Sequence, residues 1–159
     1  MHDDTKENVA TSSIIGFGDI KSAPEAIEDW DMYLRDGDAY LRTGIAAHAK
    51  GKKAFTPEIL YNIVAMAIEK FVMAALMQRG ALPYNHTMGD LVESMEEVFP
   101  NAMGDLKDKL LDLDRYQEIC DVDAFTIIPP TTEEIPNMLA LAVRMQELVY
   151  ETTGFNYSV

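Results

Sequence analysis

Three histidines, one cysteine and thirteen lysines and arginines are all that this 159-residue chain holds of the side chains that build metal sites, disulfides and phosphate grips. With Cys120 alone, no intrachain disulfide can form and no cage of thiolates can close around a metal. His2, His48 and His86 have no metal-ligand spacing, and neither HExxH nor a Glu-x-x-His pair occurs, so no metal site is expected. The chain also lacks a P-loop, a GxGxxG and a GxSxG, which leaves no sequence signal for any cofactor. Positive charge is scarce: 13 basic residues stand against 27 acidic ones, a net charge of −14. Such a surface repels phosphate backbones and excludes general DNA or RNA coating, while a small positive pocket holding one nucleotide stays open. Long apolar runs are missing too. No stretch reaches the roughly eighteen consecutive apolar residues of a membrane span, and the opening "MHDDTKENVATSS" has no apolar signal core. The expectation is a cytoplasmic protein with no membrane contact.

What is present is enough apolar substance, 48% of residues, to bury one core. Residues 1–21 are expected to form a flexible N-terminal arm and residues 22–159 a single domain. "SAPE" places Ser22 as an N-cap, Pro24 in a first turn and Glu25 as the partner of a capping box, predicting that a helix starts there. Ile27, Trp30, Leu34, Gly37 and Leu41 then recur at spacings of three and four along one stripe. "GIAAHAKGKKAF" reads as a helix end followed by a loop that carries Lys50, Lys52 and Lys53, the densest positive cluster in the chain. Thr56 and Pro57 open a second helix, over about 57–79, apolar on nearly all sides and therefore central. Glu69 and Lys70 interrupt it midway and argue against its spanning a membrane.

Gly80 and Pro83 end that helix, and "RGALPYNHTMGD" reads as a tight connection. Thr87 and Asp90 then begin a third helix with Leu91, Met95 and Val98 inward, stopped by Pro100. A fourth is expected over 102 to about 120 with Leu106, Leu110, Leu113 and Tyr116 inward. After the turn-rich "CDVDAFTIIPPTT", in which "FTII" is the only strand-like fragment, the residues from Thr131 to Glu134 announce a last helix. Its core face is Ile135, Met138, Ala142, Met145 and Val149, and its end is near Gly154. The fold class is all-α, an antiparallel up-down bundle of four to five helices.

Chemistry could reside in the connection. His86 has two readings: a histidine at the mouth of a helix bonding locally, or an acid–base group acting with Arg79 on a phosphate. Arg79 also suits the C-terminal end of a helix dipole. Tyr84 could stack on a base or simply cover the end of the bundle. Asn85 stands between them.

The order of these pieces resembles the HEPN family of small helical domains. The resemblance runs over about residues 24–152: Trp30 with "DGDAYL", then "MAIEKFVMAALM", then "LPYNHTMGDLVE", then "LLDLDRYQEI", a proline-rich break, and "TEEIPNMLALAVRMQEL". It implies an antiparallel bundle, often dimeric, that binds a nucleotide and works beside a nucleotidyltransferase-type partner protein. Some members are ribonuclease toxins that place an Arg before a His at the spacing of Arg79 and His86. This chain departs from them at Gly80, where a polar residue is usual, at Met73, where a lysine is common, and in "QEICDVD", which lacks the usual arginine. Those departures remove positive charge. The reading carried forward is a non-catalytic binding module, a homodimer, with Arg79, Tyr84, Asn85 and His86 as candidate nucleotide-binding residues. The alternative is a metal-independent ribonuclease with His86 as general base and Arg79 stabilising charge on phosphorus.

Overall fold

The computed structural model describes residues 24–116 and 129–156. Five helices pack into an all-α bundle: α1 (Trp30–Lys50), α2 (Pro57–Gln78), α3 (Met88–Val98), the short α4 (Leu106–Leu111) and α5 (Ile135–Thr153). The expected arm, the Ser22 cap, His2, Cys120 and "FTII" lie outside the described residues.

Helix α2 is the axis. The Thr56 side chain accepts the Ile59 amide at its start, Pro57 sits in the first turn, and Gly80 takes the left-handed conformation (φ 73°) just beyond its end. Phe71, Ile68, Ala67, Ala74, Ala75 and Leu76 are fully buried along it. By length and composition α2 would qualify as a membrane span, contrary to the expectation drawn from Glu69 and Lys70. However, 67% of its most apolar window is buried inside the bundle.

The two long neighbours approach α2 closely. Helix α1 runs antiparallel to it: Gly37 lies against Phe71, and Gly44 lies against Ile63 of α2 and Leu139 of α5. Gly44 therefore lies inside α1 without breaking it. It sits where a side chain would hold three helices apart, and the helix continues to Lys50, capped by Gly51. Helix α5 runs antiparallel to α1, which lets the Gln146 amide and the Tyr150 hydroxyl both donate to the buried Asp38 carboxylate. All five residues expected on the core face of α5 are buried, and Gly154 is its left-handed cap.

Two expected boundaries are corrected. Helix α1 starts at Trp30 and not near Ser22, and Pro24–Ile27 is irregular. The reason is tertiary: the Ile27 amide donates to Met77 O (2.8 Å), satisfying a carbonyl at the C-terminal end of α2, so the segment caps another helix and does not begin its own. The fourth helix is also shorter than expected. After α4 the chain tightens into a 3-10 turn over Asp112–Tyr116, although Leu106, Leu110, Leu113 and Tyr116 are all buried as the spacing predicted. The Leu113 carbonyl accepts the Tyr61 hydroxyl (3.1 Å) at this turn.

Candidate functional site

The stretch from Arg79 to Thr87 is not a tight connection. Its start and end are fixed by contacts at different heights on the bundle. At the start, the Arg79 guanidinium lies over the Phe99 ring, 5.1 Å from its centroid. Near the end, His86 Nδ1 lies 2.9 Å from Glu69 Oε1. Glu69 is ten residues before Arg79 on α2, about 15 Å along the axis at 1.5 Å per residue. The connection thus descends beside α2 and α3 climbs back up, with Phe99 at its far end returning to Arg79. Arg79 and His86 are each engaged by a different partner.

The remaining candidates face outward. Tyr84 is 72% exposed, and Asn85 is exposed without a hydrogen bond among the described residues. His86 is also open to solvent on its side away from Glu69, where Nε2 has no partner among the described residues.

An anion near His86 would ordinarily find the first amides of α3. Those amides are already occupied. Thr87 Oγ1 accepts the Asp90 amide (3.1 Å) and donates to the Asp90 carboxylate (2.6 Å). Asp114, reaching across from the 3-10 turn, accepts the Met88 amide on one oxygen and the Gly89 amide on the other, both at 2.9 Å. An internal carboxylate thus fills the place a phosphate would take. Gly89 leaves room for it, since an added Cβ would stand 3.2 Å from Asp114 Oδ2. Burial pushes the nearby Tyr61 hydroxyl well above its ordinary value of 10.0, and the charges of Asp114 and Tyr116 push it the same way.

Sequence reasoning placed the four candidates on one connection but missed Glu69, Phe99 and Asp114, which decide what each can do. For Glu69 there was a signal: a carboxylate in the middle of an otherwise apolar helix calls for a partner. For Asp114, in a run of surface-type charges, there was none. Among the described residues no three histidine, cysteine or carboxylate side chains gather to hold a metal ion.

The fold defines a class, the small all-α bundle built on a central apolar helix. No family model, curated protein or solved structure matches the chain closely enough to narrow that class.

Proposed function

We propose that the protein is a non-catalytic helical binding module of the HEPN type, cytoplasmic, acting as a homodimer and holding a partner instead of breaking a bond. The observation that carries this reading is the separate engagement of Arg79 and His86. A general base without a nearby cation lacks the charge stabilisation that supplies several powers of ten in phosphoryl chemistry. The Asp114 carboxylate at the start of α3 repels phosphate where a backbone anion site would otherwise lie. In this reading the outward Tyr84, Asn85 and His86 form the contact surface toward a nucleotide or a nucleotidyltransferase-type partner.

A second reading has one observation in its favour. Glu69 holds one imidazole nitrogen of His86 and leaves the other toward solvent, the arrangement by which a carboxylate orients a histidine base. Incubation with labelled single-stranded and structured RNA in chelator separates the two. We expect no cleavage. Cleavage lost in both Arg79→Ala and His86→Ala would establish the ribonuclease instead. Light scattering should give about twice the 17.8 kDa chain mass, and a monomer at micromolar concentration would remove the dimer from the proposal.

A further inference from the structure

The lysine loop lies at the other end of α2, about 33 Å from Arg79 at 1.5 Å per residue. It borders a cavity of about 360 Å³ between the last turn of α1 (Ala47, His48), the first turn of α2 (Thr56, Pro57, Leu60) and Thr132 before α5, with Phe55 on its wall and Lys52 and Lys53 at its rim. That volume lies in the range of small-molecule sites.

Charge distinguishes this cavity from two larger ones among the described residues. The cavity between α4 and α5, about 540 Å³, includes Asp112 and Glu134. Two of its cations are already committed, Arg144 (2.6 Å) and Lys109 (2.9 Å) both sharing Asp105. The cavity beside α3, about 410 Å³, is lined by Glu93, Glu96 and Glu97. The lysine-loop cavity has no acidic residue in its lining, in a chain with 27 of them. Lys52 and Lys53 make no ion pair among the described residues; Glu58 and Glu133 are near in sequence but exposed and outside the lining.

Lys50 and His48 suit the negative end of the α1 dipole. Lys52 and Lys53 follow in the loop between α1 and α2 and are exposed. Two lysines with no ion pair among the described residues, in the lining of an acid-free cavity, form an arrangement that a dianion would relieve.

We propose that this cavity binds a small phosphate monoester, its phosphate held by Lys52 and Lys53 and its apolar body against Phe55 and Leu60. A phosphate dianion matches two compact ammonium charges, and the half-buried Phe55 ring offers a face to an aromatic or sugar body. The site is independent of the reading given to Arg79 and His86.

Amide shifts in ¹H–¹⁵N spectra, titrated at fixed ionic strength with phenyl phosphate, inorganic phosphate, phenol and chloride, test it. Phenyl phosphate should give saturable shifts over residues 52–60 and bind more tightly than inorganic phosphate; phenol and chloride should not saturate. Lys52→Gln with Lys53→Gln should weaken phenyl phosphate by about tenfold or more, equivalent to about 1.4 kcal/mol, with an unchanged thermal melt, while Arg42→Gln, a cation on the exposed side of α1, should leave binding unaltered. Shifts that fail to saturate, that chloride reproduces, or that survive in the double variant would overturn the site. Equal affinity for inorganic and phenyl phosphate would overturn the monoester.

Discussion

Gly37 and Phe71 occupy one another's space: a Cβ added at residue 37 would stand 2.7 Å from two carbons of the Phe71 ring. The ring is fully buried and cannot move aside cheaply. Gly37→Ala should therefore destabilise the protein by about 1–3 kcal/mol despite the better helix propensity of alanine. Phe71→Ala should cost about 3–5 kcal/mol through the cavity it leaves. The informative measurement is the pair Gly37→Ala with Phe71→Leu. Because the smaller side chain makes room for the methyl group, urea melts should show the double variant losing less than the sum of the single losses. Simple additivity would mean the contact is not where the strain is felt.

Asp114 accepts two amides of the first turn of α3, so Asp114→Ala should cost about 1–2 kcal/mol, the size of a strong helix cap. Hydrogen exchange locates the effect: the Met88 and Gly89 amides should lose protection first, ahead of the Ile59 amide at the start of α2. Uniform loss of protection across both helices would contradict a local cap.

Much of the bundle was legible in the sequence because its signals are local. Thr56, Pro57 and Gly80 mark both ends of α2 by short-range chemistry, and the spacing of Ile135, Met138, Ala142, Met145 and Val149 identifies the buried face of α5. The misread boundaries are those decided by distant partners. The Ser22–Glu25 pattern has the form of a helix start, yet the chain just after it is claimed by the end of α2 through Ile27 and Met77. The candidate site fails in the same way. Spacing placed Arg79 and His86 on one connection, but the path of that connection depends on Phe99 and Glu69, which are far away in sequence.

Tyr61 links alkaline pH to stability. Its folded value lies above the 10.0 of an exposed tyrosine, so its contribution is fully present below pH 10 and is lost as the pH rises toward the folded value. The thermal midpoint should fall above pH 10. Tyr61→Phe should flatten that fall and at neutral pH cost about 1–3 kcal/mol, because the Leu113 carbonyl loses its donor in a buried place. An unchanged alkaline slope in the variant would assign the effect to other tyrosines.

Ser94 points the other way. Its hydroxyl is buried on α3 and has no hydrogen-bond partner among the described residues. Ser94→Ala removes an unsatisfied polar group and improves helix propensity, and should raise stability by about 1 kcal/mol in a denaturant melt. A loss would indicate that the hydroxyl is satisfied in solution.

The approach of Pro24 and Glu25 to Gly80, together with the Gln78 side chain donating to Thr153 O, brings residues 24–27 and 153–156 to one pole of the molecule. The described chain therefore enters at residue 24 and leaves at residue 156 on the pole where α2 ends, with the lysine-bearing loop at the opposite pole. A fluorescent label on Glu25 or Asn156 would report on the surroundings of Arg79, and one on the lysine loop would report on the far cavity.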